Sequence, residues 1–175
     1  FDGEQATYRH NAGYGRYKRW LRFQGENSSG EYWKDKAAEL LATQNLNNKK
    51  VLEIGCDKGF LVKDLRDMGV DCHGLDISQD AIDSCEDGMS PYLTVGDART
   101  ALQQYKNNEF DVIFSTRFLE CIDEANLPDL IDEMNRISKY QFHLIDETSN
   151  ADYYLNQPLS WWSNLDWDKG TILVS

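Results

Sequence analysis

The sequence predicts a single α/β domain built on a doubly wound, mostly parallel sheet of about six strands. Short apolar runs alternate with amphipathic stretches along the chain, as strands and helices do in such domains. Strands separated by helices of about ten residues imply right-handed crossovers, which cover both faces of a parallel sheet. Glycines and acidic residues follow several of the apolar runs, so we expect them to converge on one rim of the sheet, where ligands bind.

The first half of the chain predicts a leading helix and then two strand–helix units. Apolar side chains recur at helical spacing from residue 33 onward, which predicts an amphipathic helix that ends near residues 45–48. Residues 50–54 and 70–75 are short apolar runs that indicate strands. Residues 60–68 place their apolar side chains on one helical face, and a short helix is expected at 79–85.

The second half continues the alternation. Residues 92–95 indicate a strand, residues 100–105 a helical turn, and residues 110–115 a strongly apolar strand. The clearest amphipathic pattern of the chain covers residues 127–137. Pro128 lies in the first turn of that helix, where a missing N–H does no harm.

The C-terminal part predicts a strand at 140–145, a tryptophan-rich helix at 158–165 and a last strand at 171–174. This region is unusually aromatic; its rings are those of Tyr153, Tyr154, Trp161, Trp162 and Trp167. Two interpretations stay open. The rings complete the core of a small sheet, or they form a wall of an acceptor pocket by stacking on a sugar or ring.

Composition restricts the class of protein. The 175 residues are 41% hydrophobic, no apolar run approaches the roughly 18 residues that span a bilayer, and no signal-peptide pattern opens the chain. The four cysteines are scattered, which is typical of thiols in a reducing cytoplasm, and none has a partner at metal-ligand spacing. We therefore expect a cytoplasmic protein with neither a membrane segment nor a metal.

Charge argues for a small-molecule partner. The net charge of −12 would repel the backbone of a nucleic acid. Residues 9–22, however, carry five basic side chains and no acidic one, interleaved with Tyr14, Tyr17 and Trp20. We therefore divide the chain into an N-terminal arm, residues 1–29, and a domain, residues 30–175. The arm either docks on the acidic body or acts as a lid over an anionic group in the site.

A glycine turn follows the first predicted strand. In Glu53-Ile-Gly-Cys-Asp-Lys-Gly59, Gly55 and Gly59 permit a tight turn and a close approach of ligand to backbone at a helix N-terminus. A phosphate loop is excluded because its Lys-Ser/Thr pair is absent, and a dinucleotide fingerprint needs a third glycine. Asp57 would also repel a pyrophosphate. A positively charged cofactor without phosphate suits this turn, and a purely structural turn is the alternative.

Two further acids follow the next strands. Asp76 stands where a carboxylate accepts hydrogen bonds from ribose hydroxyls, or where it caps the following helix. Asp97 is placed to accept from an adenine amino group while the Ala98 N–H donates to the ring. The alternative for Asp97 is an ordinary turn residue after Gly96.

These segments together resemble class I (Rossmann-like) S-adenosylmethionine-dependent methyltransferases. The resemblance covers residues 30–147 and includes Val51–Gly59, Gly74–Ser78, Gly96–Ala98 and Phe110–Ser115 in the order typical of that family. It implies S-adenosylmethionine as cofactor and S-adenosylhomocysteine as product. The implied cofactor-binding residues are Tyr14, Tyr17, Glu53, Gly55, Cys56, Asp57, Gly59, Asp76, Ile77, Asp97, Ala98, Thr116 and Arg117.

The resemblance also implies roles for these residues. Glu53 acts on the ammonium of the methionine part, directly or through water, and Asp76 holds the ribose. Ile77 packs on the adenine, whereas Thr116 and Arg117 lie near the methionine part largely through their backbone. Tyr14 and Tyr17 close over the cofactor from the arm.

Three departures from the family pattern are visible. Asp57 replaces a glycine of the turn, and Cys121 stands where a histidine often occurs. The chain after Trp162 is too short for the usual helix and antiparallel strand pair, so we expect a shortened C-terminal end. Such a sheet leaves an edge that is open to solvent or to a homodimer contact.

The resemblance implies methyl transfer to an O or N atom of a small-molecule acceptor. Asp146, Glu147 and His143 are the candidates for a catalytic base. The alternatives are a packed strand residue for His143 and solvated loop acids for the other two. Two other functions remain: a non-catalytic S-adenosylmethionine-binding or partner module, and a nucleotide-sugar or nicotinamide enzyme on a related sheet.

Overall fold

A parallel sheet forms the centre of the protein. The computed structural model describes residues 29–145, 155–167 and 171–174, the stretches 29–32 and 171–174 by their backbone alone. The strands are β1 (Lys50–Ile54), β2 (Asp71–Asp76), β3 (Leu93–Val95), β4 (Val112–Thr116), β5 (Gln141–Leu144) and β6 (Thr171–Val174). The helices are α1 (Ser29–Gln44), α2 (Phe60–Asp67), α3 (Gln79–Asp83), α4 (Ala98–Ala101), α5 (Leu127–Ile137) and α6 (Leu159–Trp162).

The strand order is β3-β2-β1-β4-β5-β6, and every pairing among these strands is parallel. The predicted α/β class and doubly wound sheet are confirmed. The chain runs outward from β1 to β2 and β3, and then crosses back to β4 on the other side of β1. The carboxyl ends of β1 and β4 therefore flank the switch point, where such sheets bind ligands.

Side chains that alternate along the strands supply two apolar layers. Val51 belongs to the layer beneath α1 and α2, and its neighbour Leu52 belongs to the layer beneath α5, because successive strand residues point to opposite faces. In the first layer the rings of Phe114 and Phe142 stack across β4 and β5, with centroids 5.0 Å apart. Helices thus cover both faces of the sheet, as a parallel sheet requires.

Most element boundaries agree with the sequence pattern within two residues. The apolar run at 110–115 starts as a strand only at Val112, because the Phe110 N–H donates to Ile137 O outside the regular ladder. The turn expected at 100–105 begins earlier, at Ala98, because the Asp97 side chain caps α4. The Trp-rich helix is shorter than expected and ends at Trp162.

The C-terminal tryptophans pack into the layer beneath α5. Trp162 is fully buried, and its indole N–H donates to Gln157 O over 3.1 Å. The Trp167 indole N–H donates to Trp162 O over 2.8 Å. These contacts favour the core-completing interpretation for both rings; Tyr153 and Tyr154 lie outside the described residues. Among the described helices, none is long and apolar enough to cross a membrane.

Candidate functional site

The glycine turn after β1 needs glycine at both of its ends. Gly55 and Gly59 adopt φ values of 78° and 75°, which disfavour residues with a side chain. A Cβ on Gly55 would lie 2.8 Å from Cδ2 of Phe118, and one on Gly59 would lie 2.8 Å from Cδ1 of Leu93. The turn is therefore fixed by protein packing as well as by its backbone conformation.

The carboxylate of Asp76 links this turn to the end of β2. Its Oδ2 accepts the backbone N–H of Asp57 over 2.8 Å, and its Oδ1 accepts that of Ser78 over 2.9 Å. Ser78, and not Asp76, caps α3, because the Ser78 hydroxyl accepts the Ala81 N–H. A carboxylate offers about four lone-pair positions, so Asp76 keeps acceptor capacity for a ligand hydroxyl.

Two more acids lie beside Asp76, and we call Glu53, Asp57 and Asp76 the carboxylate cluster. Glu53 is only 3% exposed, and its Oε2 has no hydrogen-bond partner. Burial, with the charges of Asp76 and Asp57, raises the pKa of Glu53 to about 8. Burial and the charge of Asp76 raise the pKa of Asp57 to about 6, and Asp57 Oδ2 also lacks a partner.

Unpartnered buried carboxylate oxygens cost folding free energy, so this arrangement favours a ligand that supplies donors and positive charge. Asp57 also adopts a φ of 50°, a left-handed conformation that aspartate tolerates better than most residues with a side chain. This explains how an acid can occupy a turn position where glycine is common. The carboxylate cluster therefore fits a cationic group, and it fits a phosphate poorly.

Apolar surface continues from the carboxylate cluster toward β3. Ile77 is 51% exposed directly after β2, and Val95 is 38% exposed at the end of β3. Two large apolar side chains held open to solvent at neighbouring strand ends offer a surface on which a flat ring can pack. This agrees with the place expected for an adenine.

The Asp97 carboxylate accepts hydrogen bonds from Arg99, two residues later in the chain. Its Oδ1 accepts the Arg99 N–H over 3.0 Å, and the Arg99 Nε lies 2.9 and 3.0 Å from the two carboxylate oxygens. The hydrogen bond from the Arg99 side chain lowers the pKa of Asp97. A ligand amino group would therefore share this carboxylate with a guanidinium, while the Ala98 side chain lies buried beside it.

The segment after β4 brings an unpredicted residue into the site. Thr116 ends β4 with a buried hydroxyl that lacks a partner, and Arg117 follows with a φ of 53° and its N–H on Leu144 O. This turn places the half-buried Phe118 ring against Gly55. The sequence held only a weak signal for it, an aromatic residue two positions after a strand.

His143 is enclosed within the sheet. Gln141 donates its side-chain amide to Asn135, so its oxygen faces His143 Nε2 at 3.1 Å, and Nδ1 then accepts from the Ser115 hydroxyl at 2.8 Å. Burial lowers the pKa of His143 to about 3. A neutral, fully buried imidazole with both nitrogens paired fits the packed-residue interpretation. Its role as a base remains a prediction without support from the geometry.

The structure brings most of the predicted cofactor residues to one rim. Glu53, Gly55, Cys56, Asp57 and Gly59 form one turn, and Asp76, Ile77, Asp97, Ala98, Thr116 and Arg117 follow the neighbouring strands. Cys56 is buried, and burial raises the pKa of its thiol, so it acts as an apolar packing residue. The predicted Tyr14, Tyr17, Asp146 and Glu147 lie outside the described residues.

Comparison with known proteins addresses the family and the fold of this chain. A family model described as a methyltransferase domain matches residues 18–171. A solved S-adenosylmethionine-dependent methyltransferase from Archaeoglobus fulgidus is 25% identical, with a TM-score of 0.56, over 69% of this chain and 54% of that chain. No curated protein matches the sequence of this chain.

Two further solved structures share the fold. A protein from Pyrococcus horikoshii OT3 is 22% identical with a TM-score of 0.55, over 71% of this chain and 61% of that one. The magnesium protoporphyrin IX methyltransferase from Synechocystis PCC 6803, solved with bound S-adenosylhomocysteine (SAH), is 16% identical with a TM-score of 0.57, over 77% and 68%.

The chain thus spans 54% and 61% of the first two of these proteins. The match to the family model covers most of the chain, and the sheet has the strand order of the Rossmann-like methyltransferase core. The chain therefore belongs to the methyltransferase domain family, with the class I, Rossmann-like fold of S-adenosylmethionine-dependent methyltransferases.

Proposed function

We propose that the protein binds S-adenosylmethionine at the carboxyl ends of β1, β2 and β3 and transfers its methyl group to an O or N atom of a small molecule. The observation that supports this most directly is the buried Glu53 Oε2 without a hydrogen-bond partner, next to the glycine turn. The methionine part of the cofactor carries an ammonium, which supplies the donors and the charge that this oxygen lacks.

The other residues of the rim suit the remaining parts of the cofactor. Asp76 accepts from the ribose hydroxyls with the capacity left beside its two backbone bonds. The exposed Ile77 side chain packs on the adenine. Asp97 and the Ala98 N–H meet the adenine edge, with Arg99 holding the carboxylate of Asp97 in place. Tyr14 and Tyr17 cover the cofactor from the N-terminal arm.

The bound cofactor supplies an activated methyl carbon on a sulfonium, so the protein contributes mainly position and exclusion of water. A base is needed only for an acceptor that must lose a proton. We assign that role to Asp146 or Glu147, which follow β5 in the sequence, in preference to the enclosed His143. The net charge of −12 supports a small acceptor over a nucleic acid.

Two assays test this proposal. Calorimetric titration of the chain with S-adenosylmethionine and with SAH should give saturable binding of both, and binding of neither would overturn the proposal. Transfer of a labelled methyl group to a panel of small O and N nucleophiles then tests turnover. Binding of the cofactor without transfer to any acceptor would instead support a non-catalytic cofactor-binding module.

A further inference from the structure

The Phe118 ring lies against Gly55, two residues after Glu53 of the carboxylate cluster. A Cβ on Gly55 would lie 2.8, 2.9 and 3.0 Å from Cδ2, Cβ and Cγ of Phe118. The ring therefore occupies the space that any side chain at position 55 would need. Because Gly55 has no side chain, the ring reaches the backbone of the turn that we assign to the cofactor, so a cofactor bound at this turn would lie close to the ring.

The local backbone holds the ring in that place. Arg117 adopts a φ of 53°, which reverses the chain directly after β4, and its N–H donates to Leu144 O over 3.0 Å. A single 3-10 turn, Leu119–Cys121, follows, in which the Cys121 N–H donates to Phe118 O over 2.9 Å. Phe118 is thus fixed on both sides by backbone hydrogen bonds, while its ring stays half-buried.

We propose that Phe118 determines the preference of the site for the positively charged cofactor over its neutral product. This inference rests on the proposed function. The face of an aromatic ring attracts a cation, and the attraction grows where water is excluded. S-adenosylmethionine carries a sulfonium between its methionine part, beside Glu53, and its ribose, beside Asp76. SAH has the same shape without the methyl group and without that charge.

The same contact has a consequence for turnover. When the methyl carbon–sulfur bond breaks, the electron pair stays on sulfur and the methyl group goes to the acceptor, so the positive charge beside the ring disappears. A ring that stabilises only the charged form binds the substrate more tightly than the product. Product release is thereby favoured after each transfer.

The test compares three ligands on wild type, Phe118→Leu and Phe118→Tyr. S-adenosylmethionine and sinefungin, which carries an amine near the position of the sulfonium, are cationic there, and SAH is neutral. Phe118→Leu should weaken the two cationic ligands about fivefold and leave SAH within about twofold, as loss of a cation–π contact predicts. Phe118→Tyr keeps an aromatic face and should restore the preference.

Tyr92→Leu is the matched control, because it removes an aromatic ring from the opposite rim. Tyr92 precedes β3, and its ring packs 3.4 Å from the Arg66 guanidinium carbon. This variant should change no ratio of affinities. Equal weakening of all three ligands by Phe118→Leu, or no weakening at all, would overturn the role of Phe118. Wild type that binds none of the ligands would overturn the proposed function itself. Thermal unfolding of each variant confirms that it is folded.

Discussion

The two halves of the rim treat their buried ionisable groups in opposite ways. At the carboxyl end of β1 and in the turn that follows it, Glu53 and Asp57 keep carboxylate oxygens without partners, and burial raises the pKa of both. In β5, His143 is fully buried, but both of its ring nitrogens are paired. The difference supports the proposal that the turn after β1 receives the cofactor, whereas the paired His143 holds β4 and β5 together.

The chain of hydrogen bonds around His143 explains why that half is rigid. It runs from Ser115 on β4 through His143 and Gln141 on β5 to Asn135 on α5. The amide of Asn135 donates in turn to Asp166 O, which anchors the C-terminal segment. The network thus joins two strands, one helix and the aromatic segment, and it leaves no buried nitrogen of His143 for a substrate.

The largest expected effect breaks this network. His143→Ala removes the partner of Ser115 and of Gln141 and leaves a cavity, so it should lower the free energy of unfolding by about 3 kcal/mol. Denaturant unfolding measures it. His73→Ala is the control, because the His73 side chain is partly exposed and its contacts are with Asp71 and the Tyr92 ring. A loss as small as that of His73→Ala would show that the network adds no rigidity.

A substitution in the carboxylate cluster should stabilise the chain, whereas His143→Ala should destabilise it. Glu53 has a pKa of about 8 in the folded chain and an ordinary value of 4.5, so folding binds a proton between these pH values and stability falls as pH rises. Glu53→Gln should therefore raise the free energy of unfolding by about 2 kcal/mol at pH 8, and the gain should vanish near pH 4.5. Destabilisation at pH 8 would contradict the account of an unpartnered acid.

The pH dependence of the free energy of unfolding also distinguishes the two halves of the rim. The pKa of His143 is about 3 in the folded chain and 6.5 ordinarily. Between these pH values the unfolded chain therefore binds a proton at His143 that the folded chain does not bind. This part of the stability is present above pH 6.5 and is lost at about 1.4 kcal/mol per pH unit as pH falls toward 3. In His143→Asn the free energy of unfolding, measured at pH 6.5, 5.5 and 4.5, should lack that dependence on pH. An unchanged dependence would contradict the assignment of His143 as a neutral, buried imidazole.

The smallest effect is expected at the end of β3, which resembles neither half. The Arg99 and Asp97 side chains are 26% and 27% exposed, so water reaches their ion pair and partly screens it. Arg99→Gln should lower the free energy of unfolding by less than about 1 kcal/mol, as solvated pairs do. A larger loss in denaturant unfolding would place this pair with the buried networks.

The sequence predicted the sheet better than it predicted the state of its side chains. The strands at 50–54 and 171–174 are found at the expected residues, because short apolar runs between polar or glycine-rich segments leave little choice of boundary. The convergence of Glu53, Asp76 and Asp97 on one rim followed from parallel strand direction alone.

The pairing of these groups was beyond the reach of sequence patterns. Glu53 lacks a partner because of what the fold places around its oxygens, and Phe118 reaches Gly55 only through the left-handed turn at Arg117. The engagement of Asp97 by Arg99 likewise depends on a side-chain conformation. Contacts between distant segments, and burial itself, decide which partners these side chains have. Neither produces a periodic pattern that can be read from the sequence.

The central claim is that the unpartnered Glu53 carboxylate receives the ammonium of the cofactor. Its most direct test is titration of wild type and Glu53→Gln with S-adenosylmethionine at pH 7, in buffers that differ in ionisation enthalpy. With a pKa of about 8, Glu53 is protonated before binding, so wild type should release a proton as the ammonium binds. Glu53→Gln should release none from this position and bind about tenfold more weakly. Equal affinity and equal proton release in both proteins would contradict the claim.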